Sequence, residues 1–226
     1  MNFLQLVQSL RQECGIAGTG PTSTVEQVGQ AKKLVDWIND AWLEIQGKHD
    51  TWGFMRKPFS FVAAQGVGDH LPSAVGLSDL REWHRGTLRC YRTAIGFQDE
   101  QWLVEWEYQV FRNTYRFNLQ RELQGRPVVF AVRPNAKELM LGPLPDAGYT
   151  VIGEYQALPS PMFGDDAVPA LPAHLHKIIV YKAMEHYALF ESAPEVLTRA
   201  RQQYTTLMAQ LEREQLESLY LGDPLA

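Results

Sequence analysis

Residues 30–57 read QAKKLVDWINDAWLEIQGKHDTWGFMRK, and this stretch decides the fold. Ala31, Leu34, Val35, Ile38, Ala41, Trp42 and Ile45 recur at the three-and-four spacing of one helical face, while Lys32, Lys33, Asp36, Asp40 and Glu44 fall mostly elsewhere. An amphipathic helix is predicted, ending near Gly47. Trp52, Phe54 and Met55 follow at once, so the stretch carries a bulky apolar patch that other parts of the chain must cover. No side chain here is chemically reactive in this setting. The expected role is a central scaffold helix, with Trp42, Trp52 and Phe54 at the seam between a helical bundle and a β-rich insertion.

On the N-terminal side, Phe3, Leu4, Val7 and Leu10 suit a short docked helix that Gly15 and Gly18 stop. The glycine-rich GIAGTGPTST beyond it lacks a preceding strand and a GK[ST] ending, so it is a connector and not a phosphate loop. Ser23 and Glu26 have capping-box spacing, so the next helix begins there or, after Gly29, at Gln30. On the C-terminal side the pattern changes at residue 57. FSFVAA fits a strand, residues 80–93 supply one or two more, and residues 106–117 favour a helix. Residues 126–133, 138–141 and 149–155 form three β-type runs between turn residues, which predicts a three-stranded meander. The proline-rich LPSPMFGDDAVPALP is expected to be a linker. A helix through Leu175, Ile178, Ile179, Ala183 and Phe190 then breaks before Pro194, and a last helix from Glu195 to about Leu219 completes a hairpin. The expected class is α+β, mainly α: N-terminal helices (1–56) and a C-terminal hairpin (161–212) forming one bundle, a β-rich insertion (57–160), and a C-terminal extension (213–226).

Composition narrows the function. The chain has 226 residues, 45% hydrophobic and 21% charged, with a formal charge of -5. This suits a globular protein and slightly disfavours a dedicated nucleic-acid binder. No run approaches the roughly 18 apolar residues of a membrane span, and MNFLQLVQSLRQE does not resemble a signal peptide, so an intracellular protein without membrane partners is expected. Cys14 and Cys90 lie far apart without metal-ligand spacing and are expected to be free thiols.

Reactive constellations are sparse. His174 and His176, two residues apart, project about 200° apart around a helix, so together with His186 they suit polar or capping roles better than a metal site. Asp165 and Asp166 are adjacent in a proline-rich loop and fit a helix lead-in better than a catalytic carboxylate pair. No nucleophile elbow or cysteine signature is present. The sequence therefore reads against an enzyme: no catalytic, metal-binding or cofactor-binding residue is assigned, and no cofactor is expected. Residues 81–133 hold nine arginines and no lysine, interleaved with Trp83, Tyr91, Trp102, Trp106, Phe111 and Tyr115. That combination fits a protein interface or a nucleic-acid surface using Arg89, Arg92, Arg112 and Arg116. It also fits arginines paired with the carboxylates of the same span.

Three stretches together, LVDWINDAWLEIQ with TWGFMR, GRPVVFAVRP through LMLGPLPDAGYTVIGEY, and LPAHLHKIIVYKAMEHYALFESAPE, resemble the adaptor or head-completion proteins of tailed bacteriophages. The resemblance implies a non-enzymatic virion component of the neck, assembled in the host cytoplasm. It acts as a homo-oligomeric ring, commonly a dodecamer, that docks beneath the portal protein. The ring extends the channel through which double-stranded DNA passes without sequence-specific contact, and it offers tail or nozzle proteins a platform. A closed ring needs two different patches per subunit, and Arg89, Arg92, Arg112 and Arg116 are the candidates for one of them. Leu219, Tyr220, Leu221 and Leu225 are the candidate portal-binding tail.

Overall fold

The structure is a computed structural model that describes residues 1–216, apart from the side chain of Asn118. Among these residues the elements run α1 (Phe3–Glu13), α2 (Gly29–Lys48), β1 (Arg56–Ala63), β2 (Asp69–His70), β3 (Leu80–Trp83), β4 (Arg89–Arg92), β5 (Gln101–Trp102), β6 (Val104–Glu105), α3 (Tyr108–Tyr115), β7 (Gln124–Gly125), β8 (Val129–Val132), β9 (Leu139–Gly142), β10 (Leu144–Pro145), β11 (Tyr149–Ala157), α4 (Lys177–Phe190) and α5 (Pro194–Gln215). No helix among them is long and apolar enough to cross a membrane. The chain divides into two compact units, Met1–Met55 with Pro159–Ala226, and Arg56–Leu158. This corrects the expected class. The chain is not a mainly α bundle with a β insertion, because the β-rich part is a separate unit with cores of its own.

The helical unit is built from both ends of the chain. Asn2 caps α1 by accepting from the Gln5 amide, while Gln5 accepts from the Asn2 amide, which satisfies two orphan donors at once. Its buried face is Phe3, Leu6, Val7 and Leu10; Leu6 takes the place expected for Leu4. On α2, Leu34, Val35, Ile38, Ala41, Trp42, Ile45 and Gln46 are buried. The helix starts without a side-chain cap, and Ser23 bonds Asp165 rather than closing a box with Glu26. The hub of this unit is α4, not α2, since α4 packs against α1, α2 and α5 alike. Ile178, Ile179, Val180, Ala183, Met184 and Ala188 are accordingly buried. Phe190 lies outside that stripe, half exposed, beside Trp37 and beneath Lys33.

The proline-rich segment is a strap and not a loose linker. Met162 and Leu171 are buried in the helical core. Two amide side chains of α2 grip its backbone at two points each. Asn39 donates to the Met162 carbonyl and accepts from the Met162 amide; Gln46 does the same with Ser160. Trp52 is fully buried, its indole N–H donating to the Ile45 carbonyl, and Phe54 stacks between Trp52 and Trp42. Trp42 and Trp52 thus belong to the helical core, with Phe54 packed against it.

In the β unit, β11 is the spine of the first sheet: β1 lies antiparallel along one side, β4 and β3 along the other, and β5 extends the sheet from β4. The second sheet runs β2-β9-β8-β6. The expected meander is therefore wrong. Strands β8 and β9 pair, but β11 crosses to the other sheet, where its partners come from far earlier in the chain. Phe130, Leu139 and Leu141 join Phe59, Phe61, Cys90, Tyr149 and Val151 in a core shared by both sheets. The alternate positions Val129, Ala131 and Met140 face Phe111 of α3. Both faces of β8 and β9 are thus covered, which is why VFAV and LMLG show no polar alternation. Gly142 permits the close approach of α3: a Cβ there would lie 2.8 Å from the Phe111 ring and 2.9 Å from that of Tyr115.

Two outcomes follow from these cores. Trp42→Ala removes a core indole and should destabilise the protein by about 3–5 kcal/mol in a denaturant titration; a near-wild-type midpoint would refute this placement. His70 is buried against Phe61 with Nε2 unpartnered. Burial holds its pKa below the ordinary value of 6.5, outweighing the Val67 carbonyl and Asp69. The unfolded chain therefore takes up this proton at higher pH than the folded one, so stability is full above about pH 6.5 and falls as pH drops below it. Urea midpoints at pH 7.5 and 5.5 should differ more for the wild type than for His70→Leu.

Candidate functional site

The arginine and aromatic residues singled out in the sequence all lie in the β unit, and pairing geometry explains their arrangement. Arg89 on β4 stands directly across from Trp102 on β5, so its guanidinium lies 3.8 Å from the centre of that ring, and it also reaches Glu100 at 2.7 Å. Arg92 ends β4. It donates to Asp146 at 3.0 Å and to the Tyr149 hydroxyl at 3.2 Å, while that hydroxyl donates to Asp146 at 2.8 Å. Asp99 accepts from the Arg92 amide at 2.7 Å and from Arg126 at 2.6 Å, which fastens the loop between β4 and β5.

These contacts set the local electrostatics. The Arg92 amide and the Arg126 guanidinium hold the Asp99 carboxyl below its ordinary pKa. The Tyr149 hydroxyl and Arg92 do the same for Asp146, and the Tyr149 hydroxyl and Asp146 push Arg92 up. Elsewhere Arg85 pairs with Glu105 at 2.6 Å, Arg133 with Glu138 at 2.7 Å, and Arg116 with Asp69. Arg112 stacks over Phe117 at 5.1 Å. The four candidate interface arginines do not converge on one patch: Arg89 and Arg92 belong to the first sheet, whereas Arg112 lies in α3 and Arg116 at its C-terminal cap, and α3 covers the far face of the second sheet.

Two features of this unit were not legible as a site. The first is a groove of about 610 Å³ with Trp106, Tyr108, Val132 and Pro134 among its walls and Glu82, Glu105 and Glu107 around it. The second is the turn after α3, where Phe117, Leu119 and Leu123 are exposed, Leu119 by 89%. The only sequence signal for the turn was bulky apolar residues in a stretch that fits neither period. Other exposed apolar side chains in the unit include Phe97, Trp102, Ile95 and Val110.

The remaining candidates are occupied separately. His174 meets Glu214 at 3.1 Å, His186 meets Glu44 at 3.0 Å, and the buried His176 donates to the Leu171 carbonyl at 3.1 Å. Among the described residues no three His, Cys, Asp or Glu side chains are grouped to hold a metal. Asp165 accepts from the Thr24 amide and hydroxyl and from Ser23, so it ties two loops of the helical unit together; those bonds lower its pKa. Cys14 and Cys90 are free, and burial raises their pKa to about 12 and about 11. Leu219, Tyr220, Leu221 and Leu225 lie outside the described residues.

No curated protein matches this chain. A family model described as SU10 adaptor protein matches residues 1–224. With that match spanning nearly the whole sequence, both units included, the chain belongs to the SU10 adaptor protein family and is a structural adaptor protein of a phage.

Proposed function

We propose that this adaptor works by binding alone, as a ring of copies, twelve in the usual arrangement, docked beneath the portal. The ring extends the DNA channel and presents a surface to tail proteins, and the reaction chemistry of an enzyme plays no part. The family match over residues 1–224 carries this reading. Bulky apolar side chains left exposed on the β unit support it, because surfaces of that kind serve protein contacts. In this reading Arg89, Arg92, Arg112 and Arg116 contribute to subunit contacts, and Leu219, Tyr220, Leu221 and Leu225 anchor the portal. The position in the virion is the neck between capsid portal and tail.

Charge supports a channel through which DNA slides. The formal charge is -5, and Arg85, Arg89, Arg92, Arg116, Arg126 and Arg133 each have a carboxylate partner within the chain. Within residues 81–133 most guanidinium groups are thus already paired, which leaves fewer of them to release counterions from a duplex.

Three experiments test the proposal. Solution mass and electron microscopy, with and without portal rings, should show ring-shaped complexes on the portal. Removal of residues 217–226 should leave the melting temperature unchanged and abolish joining; normal joining would exclude the tail as the portal anchor. Anisotropy of a labelled DNA duplex should show weak binding with a shallow salt dependence. Tight, steeply salt-dependent binding would instead favour a nucleic-acid-binding module.

A further inference from the structure

The last turn of α5 runs against its own helix dipole. Carboxylates are disfavoured beside the negative C-terminal end of a helix, yet Glu212 and Glu214 both stand there, with Arg213 the one basic residue of the turn. Neighbouring segments of the helical unit supply the compensation. Glu212 is met by His49 Nε2 at 2.8 Å and by Lys48 Nζ at 2.9 Å, both from the C-terminal end of α2. Glu214 accepts from Gln210 at 2.9 Å and is met at 3.1 Å by His174 Nε2, from the turn that leads into α4. These contacts hold both carboxyls below their ordinary pKa: His49 and Lys48 at Glu212, Gln210 and then His174 at Glu214.

The grip comes from several sides. Residues two apart on a helix point about 200° apart, so Glu212 and Glu214 are held on nearly opposite faces of the turn. A third point lies between Gln215 and Gly53. A Cβ on Gly53 would stand 3.1 Å from the Gln215 carbonyl oxygen and 3.2 Å from its Oε1, so the bare backbone there lets the helix end approach closely. His49 is itself fixed, its ring edge-on to that of the buried Trp52 with 4.8 Å between centres. Leu211 is the last fully buried residue of α5, and Leu216 packs part-buried against the same core. The direction in which the chain leaves residue 216 is thus set by polar contacts around one apolar anchor.

We propose that Lys48, His49 and His174 are positioning residues for portal docking: through Glu212 and Glu214 they hold the end of α5 in the setting from which Leu219, Tyr220, Leu221 and Leu225 reach the portal. The inference rests on the tail reading above and adds the side chains that aim the tail. Leu219 follows Leu216 by only three residues, so a change in the last turn of α5 is carried directly to the anchor. Ion pairs as exposed as these each contribute little to folding, and two of them together bias the turn by about tenfold. Their removal therefore alters the root of the tail and leaves the helical unit folded.

The test compares full-length variants with the chain that lacks residues 217–226. In His49→Ala/His174→Ala, melting should stay near wild type, hydrogen exchange at the amides of residues 214–216 should speed up about tenfold, and joining to portal rings should weaken by about the same factor. Glu214→Lys separates aiming from helix stability, because a cation suits the helix end but confronts His174. Joining should weaken there although helicity by circular dichroism is kept, and adding His174→Glu should restore it. Wild-type joining by the double alanine variant, or no recovery in His174→Glu/Glu214→Lys, refutes the clasp; the tail reading then stands so long as removal of residues 217–226 abolishes joining. Normal joining without those residues refutes the tail reading and the clasp with it.

Discussion

The grip of Asn39 and Gln46 on residues 160–162 is the constraint on which the helical core depends. That core is discontinuous: α1 and α2 come from one end of the chain, α4 and α5 from the other, and residues 56–158 intervene. The returning backbone must enter beside α2 with its polar groups satisfied, since an unpaired buried amide or carbonyl costs about 1–3 kcal/mol. Gln46, buried on α2, supplies one donor and one acceptor to Ser160, and Asn39 repeats the arrangement for Met162 two turns earlier along the helix. With the strap fixed, Met162 and Leu171 complete the core, and α4 is delivered against three helices.

A different constraint shapes the β unit. Strands β8 and β9 are buried on both faces, against the first sheet on one side and α3 on the other. Double burial makes this pair a middle layer, and it leaves β11 free to cross over and become the spine of the first sheet. The outer layers then carry the surfaces available to partners, with Arg89 and Trp102 on one and α3 with its exposed turn on the other.

For an adaptor, the distribution of arginine is more informative than its abundance. Residues 81–133 looked like a cationic field in sequence, yet most of their guanidinium groups are spent on carboxylates that the fold places within about 3 Å. Exposed pairs of this kind add little stability, with a median near 0–1 kcal/mol. Their consequence is neutralisation, which leaves Arg112 and Arg121 as distinct features beside exposed apolar side chains.

The sequence by itself determined the elements whose periodicity is written in a single stretch: the α2 stripe, the α4–α5 hairpin broken at Pro194, and the strand that follows residue 55. The resemblance to phage adaptors was also legible, because it rests on apolar and turn patterns over most of the chain, and the family match bears it out. Tertiary structure alone decided that the β-rich part is a unit in its own right, that α4 is the hub, and that the proline-rich segment is a strap. Each of these depends on which distant residues meet. Val129, Ala131 and Met140 resemble ordinary core positions in sequence until α3 covers them, and Arg89 looks like a free cation until Glu100 and Trp102 are placed against it. Periodicity fixes which face of an element is apolar, but the choice of what covers that face is made by pairing across the chain.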